Sequence, residues 1–554
     1  MNPTPASHAP FQVPDLTVPD LLDNAVARAG DNVALDFLGA TTTYRELADQ
    51  VDRAATVLRD AGVRAGDRVA LVLPNCPQHV VAFYAALRLG AIVAEHNPLA
   101  APAELQSQLA AHGADVVIAW EKSLDKVCPD GDLQGRTVFA VDLTAALPAR
   151  SRFLLRLPLR AARTQREAMR GPVPPGVTSW ESAVRRAEPL PANQPGPARS
   201  DTAVLLHTGG TTGTPKAVVL THDNLVANVH QASEWIDLRH GEEVFAAVLP
   251  FFHAFGLTLS LTTAVHLGAT QAVLPRFDPD LVLAAQRRRP ITFFGGVPPI
   301  FARLTEVATE RGADLSSVRF AISGAMSLDG EVARAWEELT GGLIIEGYGM
   351  TETSPVVLGN PLSPQRRPGA LGLPFPGTEI RVVDPEEPGT EVPTGEIGEL
   401  LVRGPQVFAG YWQNPQATAE VMVDGGWLRT GDLVRQGEDG FVTLADRRKE
   451  LIISGGFNVY PSQVEEALRL LPEIRDAAVV GVPDRAMGER VVAALVLETG
   501  SSIDLDAIRQ RVAERLSHYA MPRAIAVLDD LPRSQLGKVL RRAVREQVMP
   551  QLSA

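Results

Sequence analysis

Residues 205–217 read Leu-Leu-His-Thr-Gly-Gly-Thr-Thr-Gly-Thr-Pro-Lys-Ala, and their types point to anion binding. Glycine reaches backbone angles closed to other residues, so successive N–H groups can point the same way. Converging N–H groups form a nest for an anion. The threonine hydroxyls add donors, and Lys216 adds positive charge. Standing alone, such a loop also reads as a plain flexible turn. A nucleotide-binding P-loop needs Gly, four residues, then Gly-Lys and Ser or Thr. Here Lys216 follows Pro215 and precedes Ala217, so that arrangement is excluded.

The apolar run Ala203 to Leu206 leads into the loop and reads as a buried strand. Upstream, strands at 33–37, 68–74, 91–93 and 115–119 alternate with helical patterns at 43–60, 77–89 and 104–112. That rhythm means a parallel sheet with crossover helices. It resumes after the loop, with strands at 243–249, 271–274, 291–295, 318–323 and 343–346 and a helix at 257–267. Three of these strands end in polar, Gly-rich turns: Gly295-Gly296, Gly324-Ala325 and Gly347 to Glu352. Ligands of open parallel sheets bind at such carboxyl ends. From about Gly377 short strands predict a small β subdomain, and the last hundred residues predict a compact α/β domain. The expected class is α/β, with parallel-rich sheets and flanking helices in a large N-terminal domain.

A chain of 554 residues exceeds one hydrophobic core. A net charge of -13 argues against general nucleic-acid binding. The two cysteines, Cys76 and Cys128, make neither a metal pair nor a disulfide framework. The N-terminus lacks the basic region and apolar core of a signal peptide. A cytoplasmic protein is expected. Val244 to Pro275 carries no Asp, Glu, Lys or Arg. It is long enough to span a bilayer, but Pro250, Gly256 and Gly268 favour a buried strand, loop and helix. Residues 148–171 set seven arginines among Phe153, Leu154, Leu155, Leu157 and Leu159, with Pro158 breaking any single helix. They read either as solvated helices or as a peripheral contact with an anionic membrane, at its inner face.

Six motifs stand in order: Thr208 to Lys216, Leu249-Pro-Phe-Phe-His-Ala-Phe255, Glu346-Gly-Tyr-Gly-Met-Thr-Glu-Thr353, Trp427-Leu-Arg-Thr-Gly-Asp432, Asp446 to Pro461, and Leu531-Pro-Arg-Ser-Gln-Leu-Gly-Lys538. Together they resemble the adenylate-forming superfamily of acyl-CoA synthetases, luciferases and peptide-synthetase adenylation domains. The resemblance runs from about residue 20 to 545. Within the superfamily the chain is most similar to bacterial medium/long-chain fatty acid–CoA ligases. The resemblance implies an AMP-binding N-terminal domain over 1–445, a hinge at 446–450 and a small mobile C-terminal domain over 451–554. It implies ATP and coenzyme A as co-substrates and Mg²⁺ as the metal, in a monomer or homodimer.

It also implies a role for each matched residue. Thr208, Gly209, Gly210, Thr211, Thr212, Gly213 and Lys216 would hold the β- and γ-phosphates. Glu352 would bind Mg²⁺, with Thr208, because a hard cation prefers oxygen donors. Thr351 and Lys538 would contact the α-phosphate. Tyr348 would stack on adenine opposite Gly324 and Ala325, beside Glu346, Gly347, Gly349 and Met350. Asp432 would accept from the ribose hydroxyls, and Arg447 would reach the same ribose or the phosphate. Lys449 would be the pivot, with Gly455 and Gly456 lining the thiol channel after rotation. His253 would stand between that channel and an acyl pocket, where Gly295 and Gly296 leave room. Taken singly, Tyr348 and His253 read as core packing, Glu352 and Lys538 as solvated charges, and Asp432 as a turn residue. Three departures are small: Ala217 for Gly, Glu450 for Asp, and Gly210 for Ser.

The leading expectation is ATP-dependent activation of a medium- or long-chain fatty acid, then thioester formation with CoA. Loading of a carrier protein, an aryl-acid CoA ligase, and a catalytically dead nucleotide-binding scaffold are the alternatives.

Overall fold

The computed structural model describes residues 11–191, 194–208, 216–236, 238–447, 450–454, 457–484, 488–513, 515–516, 520–534 and 537–552. Their contacts divide the chain into two compact units. One holds the chain up to Pro368 together with Pro374–Thr378 and Gly404–Glu420; the other holds Gly369–Leu373, Glu379–Arg403 and Val421–Ala554.

The first unit rests on two sheets. In one, Leu343–Gly349, Phe320–Ser323, Phe293–Gly296, Val244–Ala247, Thr270–Val273 and Val33–Phe37 run parallel, with antiparallel Val356–Gly359 and Ala40–Thr43 at the flanks. In the other, Thr202–Thr208, Ile92–His96, Arg68–Val72, Val116–Trp120 and Thr137–Val141 are parallel. These strands are nearly continuous apolar runs, as strands covered on both faces must be. Helices Tyr44–Asp60 and Pro77–Arg88 appear where their sequence signals place them. The first opens on a capping box: Thr43 Oγ1 accepts from Glu46 N at 3.2 Å, and the Glu46 carboxylate accepts from Thr43 N at 2.8 Å.

One buried side chain joins the two sheets where their strands end. Asn75, just past Arg68–Val72, donates to the carbonyls of Ala247 and Leu249 at 3.1 and 2.8 Å and accepts from Phe251 N at 2.8 Å. Its amide therefore sets the path of the Pro-Phe-Phe-His segment.

The uncharged stretch after it is a strand, a loop and buried helical turns. Among the described residues no helix is long and apolar enough to cross a membrane. The helix expected at 257–267 is not uniform. Gly256–Thr263 winds as a wide π-type helix and only Ala264–His266 is α-helical. Thr262 Oγ1 reaches back to the carbonyls of Leu257 and Thr258 at 3.2 and 3.0 Å, which satisfies groups the wider turn frees. A Cβ at Gly256 would lie 2.1 Å from the Pro250 carbonyl oxygen, so only glycine fits this start.

In the second unit Glu379–Val383, Ile397–Arg403, Trp427–Gln436 and Val442–Arg447 form an antiparallel sheet. Arg381 and Arg403 stack on Trp427, 4.5 and 4.6 Å from its ring centre. The C-terminal part centres on the long pair Ile474–Asp484 and Gly488–Leu497. Alternation along these strands sends Val479, Val491 and Leu495 into one core and Val480, Val492 and Val496 into another. Helices Pro461–Arg469 and Leu505–Val512 cover the first core, and Arg541–Leu552 covers the second.

Candidate active site

The glycine-threonine loop joins two strands of one hairpin. Thr202–Thr208 pairs antiparallel with Lys216–Thr221, and Thr208 faces Lys216 in register. Thr208 Oγ1 donates to the Lys216 carbonyl at 3.3 Å. A P-loop runs from strand into helix; this loop runs from strand into strand, so Lys216 is held by sheet geometry. Gly209, Gly210, Thr211, Thr212 and Gly213 lie outside the described residues.

Gly410–Tyr411 adds to the free edge of Lys216–Thr221, pairing Tyr411 with Val218. This places the Tyr411 ring 4.9 Å from Lys216 Nζ, a cation–π arrangement. The Tyr411 hydroxyl donates to Glu352 Oε1 at 2.8 Å. The Glu352 carbonyl accepts from Phe408 N at 2.9 Å, so backbone and side chain are both tied to the 404–420 segment. Burial, then the Glu352 charge, holds the Tyr411 phenol protonated by pushing its pKa far above the ordinary 10.0. Glu420 stands 4.0 Å from Lys216 Nζ on the outer side. Thr208, Lys216 and Glu352 thus belong to one framework, with Tyr411 as its joint.

Across the next turn, Thr351 and Glu352 open a single 3₁₀ turn after Leu343–Gly349. A Cβ at Gly349 would sit 1.8 Å from the Pro355 carbonyl oxygen. Met350 N donates to that same carbonyl at 3.0 Å. Ser323 pairs with Glu346, which brings Gly324 and Ala325 beside Gly347 and Tyr348. A side chain at Gly324 would meet the Phe255 ring at 2.9 Å and the Gly347 carbonyl at 3.3 Å. Ala325 adopts φ of 65°, in the left-handed region that a residue with a Cβ enters at a cost. Such conformations concentrate at ligand sites.

His253 follows the segment that Asn75 anchors. Its Nδ1 accepts from Phe255 N at 3.3 Å, so the ring proton sits on Nε2. Burial lowers its pKa to about 4, so the ring is neutral at physiological pH. The room expected beside Gly295 and Gly296 is filled. Side chains there would meet Leu259 at 2.7 Å and Phe301 at 3.0 Å.

Asp432, Arg447 and Lys538 belong to the second unit. Asp432 is 7% exposed and pairs with Arg447 across neighbouring strands. Its backbone N–H donates to Thr430 Oγ1 at 3.1 Å around Gly431, whose φ is 72°. Asp446 accepts from Ser462 N at 3.0 Å, tying this sheet to the start of Pro461–Arg469. Glu450, one of the three small departures, pairs with Arg541, which also pairs with Glu465 at 2.9 Å. Lys538 closes a turn in which its carbonyl accepts from Ser534 N at 2.7 Å and its N–H donates to Ser534 Oγ at 3.2 Å. Lys449, Gly455 and Gly456 lie outside the described residues.

Sequence reading missed Tyr411 and Asn75. Each becomes visible only through contacts across the chain, although Gly-Tyr-Trp at 410–412 is a local aromatic signal.

Residues 22–412 match the AMP-binding enzyme family, and residues 463–538 match the AMP-binding enzyme C-terminal domain. A long-chain-fatty-acid–CoA ligase of Bacillus subtilis (strain 168) is 36% identical over 542 residues, 97% of this chain and 95% of its own. A feruloyl-CoA synthase of Amycolatopsis sp is 34% identical over 510 residues, 92% and 94% of the two chains. ATP-bound MatB from Rhodopseudomonas palustris matches in structure with a TM-score of 0.82 at 31% identity, covering 96% of this chain and 99% of its own.

Proposed function

The chain belongs to the AMP-binding enzyme family, and on that premise we propose that it activates a long-chain fatty acid with ATP and passes the acyl group to CoA. The observation that carries this reading is the framework of Thr208, Lys216, Tyr411 and Glu352 at the mouth of the glycine-threonine loop. Relatives named long-chain-fatty-acid–CoA ligases, matched along nearly their whole length, support the substrate class.

In the first step a carboxylate oxygen attacks the α-phosphorus of ATP. The new O–P bond forms as the bond to pyrophosphate breaks. Both partners are anionic, so fixed positive charge and N–H donors must offset their repulsion. We assign the leaving pyrophosphate to Thr208, the following loop and Lys216. Lys538 takes the α-phosphate and carboxylate oxygens, Thr351 the α-phosphate, and Asp432 with Arg447 the ribose. The buried Glu352 carboxylate and the Thr208 hydroxyl are the hard oxygen donors that suit Mg²⁺. When bound there, the ion supplies charge neutralisation at the phosphates. The role of Tyr411 is to hold Glu352 in place and to keep its own proton.

In the second step the CoA sulfur attacks the acyl carbon, and the bond to the AMP oxygen breaks. We propose 446–450 as a hinge that serves both steps, a gating arrangement found where one site runs two chemistries. Neutral His253 offers an uncharged boundary between acyl group and thiol.

Pyrophosphate release is the test, measured across acids of increasing chain length and with ferulate, with and without CoA. We expect release to rise with aliphatic length and CoA to yield thioester. No acid-dependent release defeats the enzyme reading; a preference for ferulate moves the substrate to aryl acids; release without thioester points to another acceptor. A separate expectation concerns Lys538→Ala: loss of adenylation, with thioester formation from supplied acyl adenylate largely retained. Equal loss of both steps would contradict the hinge.

Alongside this activity, we propose that residues 149–163 rest on anionic lipid. Helix Ala149–Leu154 exposes Phe153 and Leu154 at 65% and 48%, and Leu159, just before helix Arg160–Met169, is 58% exposed. Arg150, Arg152, Arg156, Arg160 and Arg163 are exposed beside them. Arg170 is excluded from the patch, because it pairs with Glu121 at 2.7 Å and Asp142 at 3.3 Å.

A further inference from the structure

Three histidines converge just before the glycine-threonine loop, and none of them has a part in the chemistry above. His96 ends the strand Ile92–His96, His112 ends the helix Pro102–His112, and His207 is the penultimate residue of Thr202–Thr208. Glu95 pairs with Leu206 in the sheet, which makes His96 and His207 neighbours. One ring nitrogen from each lies within 4.8 Å of the other two. His96 and His112 are 1% and 2% exposed, while His207 is partly exposed.

The hydrogen bonds assign the ring protons. His112 Nδ1 accepts from Ala114 N at 3.2 Å, so its proton is on Nε2. That proton points at His96 Nε2, 2.9 Å away. His96 must then carry its own proton on Nδ1, donated to Gln108 Oε1 at 3.0 Å. His207 Nδ1 lies 3.4 Å from the Glu95 carbonyl, the acceptor for its proton. Its Nε2 is buried with no hydrogen-bond partner among the described residues. A ligating histidine is usually oriented in this way, its second N–H donated to an oxygen and its other nitrogen bare. His207 satisfies that pattern, and His96 does so once the His112 proton leaves its Nε2.

We propose that His96, His112 and His207 form a binding site for one borderline divalent transition-metal ion, with Zn²⁺ as the best match. Imidazole nitrogen selects such ions over Mg²⁺, so the site is chemically distinct from the carboxylate and hydroxyl pair of Glu352 and Thr208. Tetrahedral zinc at about 2.0–2.1 Å from each nitrogen sets those nitrogens about 3.3 Å apart. His96 and His112 must therefore separate slightly, and the widest pair must close. The His112 proton moves from Nε2 to Nδ1, which gives up the Ala114 contact and frees Nε2 for the ion. A bound ion ties the residue before Thr208 to a neighbouring strand and to a helix end. The fourth position is left to water.

The test uses tag-free protein stripped with a chelator. Zn²⁺ titrated by calorimetry is expected to bind one equivalent in the presence of excess Mg²⁺, and Co²⁺ to give visible bands of a tetrahedral site. His96→Gln and His207→Gln should each weaken binding at least ~10-fold, as loss of even an outer partner does. His230→Gln, in the separate tilted pair with His266, should leave it unchanged. Anomalous diffraction at the zinc edge from soaked wild-type crystals gives a reading that needs no variant to fold, with a peak expected among the three ring nitrogens. No saturable binding, binding unaffected by His207→Gln, or a peak elsewhere overturns the site.

Discussion

At the scale of residues, Tyr411 has the most to say about how the proposed metal ligand is held. Its hydroxyl is fixed as a donor, because burial and the adjacent Glu352 both oppose ionisation. Tyr411→Phe removes that one hydrogen bond and keeps the ring over Lys216. Outer-shell losses of this type weaken metal affinity ~10–100-fold. We therefore expect the Mg²⁺ concentration for half-maximal pyrophosphate release to rise by that factor, with the melting temperature nearly unchanged; an unaltered Mg²⁺ profile would disconnect Tyr411 from the metal. Glu352 and Lys216 were legible in the sequence because each sits in a motif of distinctive composition. Tyr411 was not, because its contact depends on a strand pairing far along the chain. Asn75 escaped for the same reason, since its partners at Ala247, Leu249 and Phe251 are in another sheet.

At the scale of elements, strands and their bounding turns were readable from apolar runs ended by Gly or Pro. The π-type start of Gly256–Thr263 was not, because its cause is the approach of the Pro250 carbonyl. Glycine marks such approaches without saying what arrives. The same holds at Gly349, where the Pro355 carbonyl leaves no space for a methyl group. Gly349→Ala must displace backbone, and overpacking of this kind costs about 3 kcal/mol. A matching fall in denaturant-unfolding free energy is expected, together with loss of ATP binding by calorimetry. The basic helices make an element-scale prediction of their own. Each arginine near an anionic surface contributes about 1 kcal/mol, so replacing Arg150, Arg152, Arg156, Arg160 and Arg163 with glutamine should abolish pelleting with phosphatidylglycerol vesicles. Undiminished pelleting of that variant removes the membrane reading.

At the scale of the whole molecule, buried neutral histidines set a pH window. His222 is fully enclosed, its Nδ1 accepting from Val18 N at 3.2 Å, and burial lowers its pKa from 6.5 to about 4. Between those values the unfolded chain binds the proton and the folded chain does not, so stability rises with pH. The contribution is complete above 6.5 and lost as pH falls through 4; for His222 alone it is about 3 kcal/mol. Thermal unfolding between pH 7 and 4 should show a steady fall, and His222→Gln should flatten its slope. A slope unchanged in that variant would assign the acid sensitivity to carboxylates. A tertiary environment of this kind cannot be read from a lone histidine in a sequence.

The pairing of Gly410–Tyr411 with Lys216–Thr221 has a consequence for how the protein is made. Roughly 190 residues separate Val218 from Tyr411. At ~5–20 residues per second, a ribosome takes about 10–40 s to deliver the second strand after the first. Until then the edge formed by Val218, Val219 and Leu220 is open, and open apolar edges recruit other chains. The nascent polypeptide is thus exposed to misassociation while its glycine-threonine hairpin is formed but not yet closed by Tyr411. Slow translation between these two points would lower the yield of soluble enzyme, and holdase chaperones would act in that interval.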